Sequence, residues 1–196
     1  MLELTLVRHG ETDANRKNAF LGWTDPDLNQ TGIRQAYLIK NKLADQPLNA
    51  VFTSPLKRAF QTAQIINRPH GLEIRTLEAL KERNFGIWDN LTLADIQKSY
   101  PAQAENWLTQ ADYPIPDGEN AERFHGRIER FLDELLQNYS SGRILIVCHG
   151  GCVRIMLASL LGLKKEDCWR FKVDTGSIAK VELNDDRYAF LTLLNG

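Results

Sequence analysis

Three features that are scarce in this sequence exclude several classes of protein. It contains only three cysteines, an odd number without a disulfide framework, so we expect reduced thiols and a cytoplasmic location. The formal net charge is −1, so no overall charge attracts nucleic acid or an anionic membrane. No apolar run is long enough to span a bilayer, and residues 1–4 lack the basic start of a signal peptide. Any site for an anion must therefore be local.

Short apolar runs alternate with stretches of helical periodicity along the chain. The predicted strands cover residues 2–7, 50–53, 72–77 and 143–148, and the predicted helices cover residues 31–43, 55–66, 119–139 and 153–161. A final hairpin is predicted over residues 177–183 and 188–194. This order predicts an α/β fold, a three-layer sandwich with helices on both faces of a mostly parallel, mixed sheet. A chain of 196 residues suits a single domain, with residues 88–116 as a small cap segment.

Histidines and arginines collect where the predicted strands end. Arg8 and His9 follow the first strand, and His149 follows the fourth. Arg58 lies four residues after Ser54, which follows the second strand. Ligands of open α/β sheets bind beyond the carboxyl ends of the strands, so we expect two histidines and two arginines to meet in one crevice.

The residue types in this crevice suit a phosphate or carboxylate group. Arg8 and Arg58 carry planar guanidinium groups that bind such oxygens in pairs. Ser54 is predicted as the N-cap of a helix that begins at Pro55, so the N–H groups and dipole of the first turn would favour the same anion. Gly150 opens another helix after a strand and lets backbone N–H groups approach a ligand closely.

A histidine and an acid can supply chemistry at this crevice. Repulsion from the arginines should hold an imidazole largely neutral at neutral pH, and a neutral imidazole can be a nucleophile. The departing oxygen then needs a proton, and Glu82, which follows the third strand, is a candidate acid. Glu78 and Glu11 are alternative acids that could also reach the site.

Four ordered blocks resemble the motifs of the histidine phosphatase superfamily, in its phosphoglycerate-mutase-like branch. They are residues 6–12 (LVRHGET), 53–59 (TSPLKRA), 80–88 (LKERNFGIW) and 147–151 (VCHGG). A lone Arg-His-Gly tripeptide would be weak evidence, because it arises often by chance. Four blocks in order, each near a strand end, are a specific signal that extends over most of the chain.

The resemblance implies a mechanism as well as a phosphoglycerate-mutase-like fold. His9 would be the nucleophile that forms a phosphohistidine. Glu82 would protonate the leaving oxygen and then activate water for the second step. The oxygens of the transferring phosphoryl group would be held by Arg8, Arg58 and His149.

The resemblance also implies which residues bind the substrate, a small phosphorylated metabolite. These are Arg8, Asn15, Gly22, Arg58, His149 and Gly150. Cationic side chains can stabilise phosphoryl transfer in place of a metal ion, so we expect neither a metal nor a cofactor. The spacing of Cys148 and Cys152 could suggest a metal pair, but their side chains should point in different directions. The protein is expected to be a monomer or a homodimer.

Phosphatases and mutases both occur in this branch, and the residues favour a phosphatase. A mutase must bind a second anionic group, whereas residues 88–116 contain no arginine and one lysine, Lys98. Mutases of the family usually have asparagine where this chain has Gly151. The acidic residues of the cap segment are Asp89, Asp95, Glu105 and Asp112. A cofactor-dependent phosphoglycerate mutase and a non-catalytic phosphate-binding relative are the alternatives.

Aromatic residues in the cap segment suggest a substrate. They could stack against an aromatic leaving group, or they could form the core of the cap. The pattern within the family most resembles the alpha-ribazole-5′-phosphate phosphatases of cobalamin assembly. A phosphatase with broad specificity for small monoesters is the other expectation. The four aromatic residues are Trp88, Tyr100, Trp107 and Tyr113.

Overall fold

The computed structural model describes residues 1–109 and 113–196, so Asp112 lies outside the described residues. The strands are β1 (Leu2–Arg8), β2 (Ala50–Thr53), β3 (Ile74–Thr76), β4 (Gly142–Cys148), β5 (Ile178–Leu183) and β6 (Ala189–Leu193). The α-helices are α1 (Asp13–Arg16), α2 (Gln30–Leu43), α3 (Lys57–Asn67), α4 (Leu93–Ser99), α5 (Pro101–Thr109), α6 (Ala121–Asn138) and α7 (Gly150–Leu160). Short 3-10 helices cover Glu78–Leu80, Gly86–Trp88 and Lys165–Arg170.

The six strands form one mixed sheet in the order β3-β2-β4-β1-β5-β6. Strands β1 and β4 are parallel, with Arg8 opposite Cys148 at their carboxyl ends. Strand β2 runs parallel to β4, and Thr53 pairs with Val147. Strand β5 runs antiparallel to β1, which makes the sheet mixed as predicted. Because this register aligns three carboxyl ends, the residues that follow them emerge at the same edge of the sheet.

Helices cover both faces of the sheet, so the predicted three-layer sandwich is confirmed. On one face, α2 and α3 pack through residues such as Ile39 and Ile66 against Val7 of β1. On the other face, α6 and α7 pack against Leu6 and the rest of the larger core. Successive residues of a strand point to opposite faces, and both faces are buried here. The central strands therefore read as continuous apolar runs.

The predicted start of α3 is wrong by two residues. The helix begins at Lys57, with extended backbone at Leu56, and Pro55 precedes it. Ser54 does not cap the helix; its Oγ accepts a hydrogen bond from the N–H of Leu56 and lies 2.8 Å from Nε2 of His149. The hydroxyl that was predicted to start a helix therefore orients a histidine of the site.

The cap segment builds a small core of its own from α4, α5 and the loops beside them. Its centre is Trp88, which is fully buried and lies 5.9 Å from Trp107 between ring centroids. Phe20, from the loop after α1, packs against both rings. All four aromatic residues of the cap segment belong to this cluster. The structure favours the interpretation that they form the core of the cap.

None of the described helices is long and apolar enough to cross a membrane.

Candidate active site

Strand pairing brings the two predicted histidines together. The N–H of His9 donates to the carbonyl of Cys148 at 2.9 Å, which extends the pairing of β1 and β4 by one residue. The rings of His9 and His149 then meet edge to face, with centroids 5.0 Å apart. Both residues are buried: His149 has no exposed surface, and His9 is 3% exposed. The prediction that these strand ends converge is confirmed.

Hydrogen bonds assign the protonation state of each nitrogen of His9. Its Nδ1 lies 2.7 Å from the carbonyl oxygen of Gly10, which can only accept, so Nδ1 carries the hydrogen. Its Nε2 accepts a hydrogen bond from Nε of Arg58 at 3.2 Å. The lone pair of Nε2 therefore faces the arginine, and Nε2 is the atom that can form a bond to phosphorus.

Both histidines are held neutral, and burial is the principal reason. Desolvation, followed by the charges of Arg58 and Arg8, lowers the pKa of His9 well below its ordinary value. Desolvation, followed by Arg58 and other neighbours, lowers the pKa of His149 in the same direction. The sequence argument predicted neutral imidazoles from charge repulsion alone. The structure adds burial as the larger cause.

Arg58 is fully buried in the first turn of α3, and its guanidinium group is held on three sides. Nη2 donates to the carbonyl of Gly22 at 2.7 Å, Nη1 donates to the carbonyl of Thr24 at 2.9 Å, and Nε donates to His9. Burial lowers the pKa of Arg58 to about 10, so the group is still charged at neutral pH. A cation is thus fixed beside the nucleophilic nitrogen.

Two backbone N–H groups near Arg58, which were expected to face an anion, donate to acidic side chains instead. The N–H of Lys57, the first residue of α3, donates to Oδ1 of Asp25 at 2.7 Å and so does not face an anion beside His9. The N–H of Gly22 donates to Oδ1 of Asp89 at 2.7 Å, and its carbonyl holds Arg58. Gly22 therefore positions the arginine, and its N–H is not free for a substrate. Sequence spacing could not reveal these acidic partners, because both come from loops.

Arg8 and His149 each present a buried polar atom that has no partner among the described residues. The atoms are Nε of Arg8 and Nδ1 of His149. Arg8 is anchored by Nη1, which donates to the carbonyl of Val173 at 2.7 Å. Its guanidinium lies against Gly150, where an added Cβ would sit 3.3 Å from Nε. The absence of a side chain at Gly150, the first residue of α7, thus leaves room for the guanidinium of Arg8.

The hydroxyl of Ser54 assigns a tautomer to His149. Oγ of Ser54 accepts from the N–H of Leu56, and Nε2 of His149, 2.8 Å away, is the acceptor available to the hydroxyl hydrogen among the described residues, so we assign the hydrogen to this bond. Nδ1 of His149 then carries the imidazole hydrogen. The unpartnered atom of His149 is therefore a donor, as is the unpartnered Nε of Arg8.

Glu82 lies at the start of α7 with its carboxylate held on both oxygens. Oε2 accepts from the N–H of Gly151 at 3.0 Å, and Oε1 accepts from the N–H of Arg83 at 2.9 Å. A Cβ at position 151 would collide with Oε1 of Glu82 and with the ring of Phe124. Gly151 therefore makes room for the carboxylate that was predicted as the acid.

The alternative acids are engaged elsewhere. Glu78 pairs with Lys81 at 2.8 Å, and its side chain is 75% exposed. Glu11 accepts a hydrogen bond from Nδ2 of Asn29 at 2.8 Å. Glu82 lies at the start of α7. Burial lowers the pKa of Arg8 and of Arg58, and the carboxylate of Glu82 is close enough to offset part of this lowering in both. This position favours Glu82 as the acid of the site.

Arg127, which was not predicted from the sequence, holds the segment that carries Glu82. Nη1 of Arg127 donates to the carbonyls of Ala79 and Lys81, and Nη2 donates to the carbonyl of Glu82 at 2.9 Å. Arg127 is itself paired with Glu119 at 2.8 Å. The periodicity of α6 indicates only that Arg127 lies on a helix, so its partners depend on tertiary packing.

Asn15 lies in α1 and closes a capping box with Thr12. Its Oδ1 accepts from the N–H and from the hydroxyl of Thr12, at 3.1 and 3.0 Å. This fixes which end of the amide is oxygen, and it turns the Nδ2 group away from Thr12. Asn15 as a phosphate ligand stays a prediction, and Nδ2 is the atom that would serve.

The cysteines near the site are free and buried. Sγ of Cys152 donates to the carbonyl of Lys81 at 3.2 Å, and desolvation raises the pKa of this thiol well above its ordinary value. Cys152 is thus a protonated thiol that supports the loop before Glu82. Within residues 1–109 and 113–196, no group of three or more His, Cys, Asp or Glu side chains is arranged to hold a metal ion.

Comparison with known proteins places this geometry in a family. The sequence matches the histidine phosphatase superfamily (branch 1) over residues 4–196. The chain belongs to this family. The resemblance predicted from the four sequence blocks is therefore confirmed, and the phosphatases among its relatives identify this histidine phosphatase as an enzyme.

Relatives of this histidine phosphatase carry several activities. Phosphoserine phosphatase 1 of Hydrogenobacter thermophilus is 28% identical over 194 residues, covering 98% of this chain and 92% of that protein. A 2,3-bisphosphoglycerate-dependent phosphoglycerate mutase of Rhizobium meliloti is 35% identical over 191 residues, covering 93% and 90%. The crystal structure of the alpha-ribazole phosphatase from Shigella flexneri is 31% identical, with a TM-score of 0.93 and coverage of 100% and 96%.

Proposed function

We propose that this histidine phosphatase hydrolyses phosphomonoesters without a metal ion, through a phosphohistidine at His9. The observation that carries the proposal is a pair of buried polar atoms without partners among the described residues, Nε of Arg8 and Nδ1 of His149, on two residues that neighbour His9. Buried donors are nearly always paired, so two of them at one place mark where an anion binds. Arg58 supplies a third cationic or donor contact.

The first chemical step transfers the phosphoryl group to His9. The lone pair of Nε2 attacks phosphorus, the bond from phosphorus to the ester oxygen breaks, and Glu82 gives its proton to that oxygen. Before this step, as the substrate binds, Arg58 releases Nε2 and binds a phosphoryl oxygen in its place. Fixed cations beside the developing charge lower the barrier, because the site needs no reorganisation during the reaction.

The second step returns His9 to its starting state. The Glu82 carboxylate takes a proton from water, the water oxygen attacks phosphorus, and the bond from phosphorus to Nε2 breaks. The products are inorganic phosphate, a protonated Glu82 and a neutral His9, which completes the cycle. The N–H of Gly151 and the neighbouring backbone hold Glu82 within reach for both proton transfers.

Among substrates, we favour a small monoester such as alpha-ribazole 5′-phosphate. The likeness to the alpha-ribazole phosphatase of Shigella flexneri supports this choice. The cap aromatics support it less than expected, because they pack with each other. Trp23 supports it instead, because the residue is 45% exposed and its Nε1 donates to the backbone carbonyl of Glu82 at 3.0 Å. Nζ of Lys81 lies over one face of the ring, 4.7 Å from its centroid, so a planar leaving group could stack on the other face, close to the backbone of the proposed acid.

A phosphoglycerate mutase is the second candidate, favoured by the 35% identity to the Rhizobium meliloti enzyme. The charge of the cap segment opposes it. A mutase needs cations for the second anionic group, and residues 88–116 contain Lys98 and no arginine.

The test compares wild type with His9→Ala in excess chelator. Phosphate release is measured on an aryl phosphate, alpha-ribazole 5′-phosphate, phosphoserine and 3-phosphoglycerate, and isomerisation of 3-phosphoglycerate is followed in parallel. Hydrolysis by the wild type alone, unaffected by chelator, supports the proposal, and the ranking of kcat/KM names the substrate class. Isomerisation that exceeds hydrolysis supports the mutase. No turnover, with inorganic phosphate still bound, supports a non-catalytic relative.

A further inference from the structure

Asp89, the first residue after the 3-10 helix Gly86–Trp88, binds three consecutive backbone N–H groups. Its Oδ1 accepts from Gly22 at 2.7 Å, and its Oδ2 accepts from Trp23 at 2.8 Å and from Thr24 at 2.7 Å. Bonds from N–H groups to a carboxylate are stronger than bonds between neutral groups. One side chain of the cap segment therefore fixes the conformation of loop 22–24.

The opposite side of loop 22–24 holds Arg58. The carbonyls of Gly22 and Thr24 accept from Nη2 and Nη1 of Arg58, at 2.7 and 2.9 Å. The third nitrogen, Nε, reaches Nε2 of His9. The loop is thus a single layer of backbone between Asp89 and the guanidinium, so its conformation determines where the arginine points.

We propose that Asp89 is a positioning residue for phosphoryl transfer, which acts on the reaction through Arg58. This inference rests on the proposed function of the site, because it concerns the same transferring phosphoryl group. Trp23 and Thr24 are exposed, so water would compete for their N–H groups once the carboxylate is gone. The two carbonyls that aim Arg58 would then lose their fixed direction.

Other contacts join Phe20, which precedes loop 22–24, to the cap segment and do not depend on Asp89. The N–H of Asn90 donates to the carbonyl of Phe20 at 2.6 Å, and the N–H of Phe20 donates to the carbonyl of Leu91 at 2.8 Å. Phe20 also packs into the cap core. A variant at Asp89 should therefore keep the fold and lose only the geometry of loop 22–24.

The first variant is Asp89→Asn, which removes the charge and one acceptor with little change of volume. The matched control is Asp95→Asn, which removes the same charge from the same segment. The carboxylate of Asp95 accepts from the N–H and the hydroxyl of Thr92 at the start of α4, and not from loop 22–24, among the described residues. A general effect of cap charge would appear in both variants, whereas an effect of the loop would appear only in the first.

The two readouts are binding of inorganic phosphate by calorimetry and kcat/KM for esters with good and poor leaving groups. We expect Asp89→Asn to lower phosphate affinity and to lower kcat/KM by about 10- to 100-fold for both kinds of ester, because a displaced Arg58 no longer meets the phosphoryl oxygens. Arg58→Ala should cost about 100- to 1,000-fold. In the Arg58→Ala background, Asp89→Asn should add less than about twofold, since coupled residues are not additive.

Two results overturn the inference: wild-type phosphate affinity in Asp89→Asn, or an equal loss from Asp89→Asn with and without Arg58. Should Asp89→Asn fail to fold, Asp89→Glu, which keeps the charge and shifts it by one methylene, is measured in the same way against the same two criteria. Failure of the proposed function is distinct, because it would appear as absent turnover in the wild type while the phosphate measurement still reports on Asp89.

Discussion

Nε of Arg58 donates a hydrogen bond to Nε2 of His9 at 3.2 Å. A protonated Nε2 could not accept this bond, so the contact holds His9 in the tautomer that a nucleophile needs. In the proposed mechanism the same arginine binds the phosphoryl oxygens. Substrate binding would then replace the contact to Nε2 with a contact to the phosphoryl group, and this exchange would free the lone pair of Nε2.

Glu82→Gln tests the acid. The amide cannot give a proton to the leaving oxygen, so kcat/KM should fall by about 100- to 10,000-fold for alkyl monoesters and by much less for a nitrophenyl ester, whose oxygen leaves without a proton. Because kcat/KM reports formation of the phosphoenzyme, the later role of Glu82 with water does not affect the comparison. Glu78→Gln is the control, as Glu78 is exposed and paired with Lys81. Equal slowing of both esters would assign the acid to another residue.

Gly151→Ala tests whether the space beside Glu82 matters. The added methyl would collide with Oε1 of Glu82 and with the ring of Phe124, so the carboxylate must move. We expect a loss that depends on the leaving group, as in Glu82→Gln but smaller, measured by the same kcat/KM series. Gly126→Ala is a matched control on α6, where the nearest atom to the new methyl is Nη1 of Arg130 at 3.5 Å. An unchanged rate for alkyl esters in Gly151→Ala would contradict the assigned position of Glu82.

Ser54→Ala tests the tautomer of His149. Without the hydroxyl, Nε2 of His149 loses its donor, and the hydrogen on Nδ1 is no longer specified. A neutral hydrogen bond contributes about 0.5–1.5 kcal/mol, so kcat/KM should fall by roughly two- to twelvefold. Nitrogen NMR of the imidazole gives a direct readout: Nδ1 should be protonated in the wild type and mixed in the variant. Protonation of Nε2 in the wild type would contradict the proposed donor to phosphate.

The depressed pKa values of His9 and His149 predict how stability depends on pH. Burial is the first cause of both shifts. In the unfolded chain these histidines titrate near about pH 6.5, so below that value the unfolded state binds more protons than the folded state. The contribution of these two histidines to the free energy of unfolding is therefore fully present above about pH 6.5. It falls as the pH decreases toward the folded pKa values, by up to about 2.7 kcal/mol per pH unit for two protons.

Urea unfolding at several pH values between about 7.5 and 5.5 checks this dependence. His149→Gln should reduce the slope, because one titrating group is removed, while His9 and His70, whose pKa burial also lowers, continue to contribute. Stability that stays constant or rises as the pH falls through this range would show that the two histidines are accessible to protons in the folded state.

The sequence predicts those residues of the site that lie at the ends of strands. Arg8, His9 and His149 follow strands whose apolar runs are unmistakable, and parallel pairing brings their ends together. Its place after the third strand makes Glu82 one candidate acid beside Glu78 and Glu11, and only the family resemblance favours it among the three, because a short strand and a 3-10 helix precede it. Its geometry then depends on Gly151, which spacing alone does not explain.

Contacts made by loops could not be predicted in this way. Ser54 was expected to cap α3, yet its hydroxyl serves His149, because a serine after a strand can do either. Asp89 was counted only as negative charge in the cap segment, whereas it binds loop 22–24. Arg127 has no periodic signal that distinguishes it from the other charged residues of α6. Each of these roles depends on which loop lies opposite, and this is decided by tertiary packing.

The measurement that tests the central claim most directly is the trapping of the phosphoenzyme. Wild type and His9→Ala are mixed with a labelled aryl phosphate in excess chelator, quenched in alkali and analysed by peptide mass spectrometry. The account predicts one phosphoryl group on His9 of the wild type, stable in alkali and lost in acid, and none on His9→Ala. A phosphoryl group on another residue, or turnover by His9→Ala at the wild-type rate, would contradict the account.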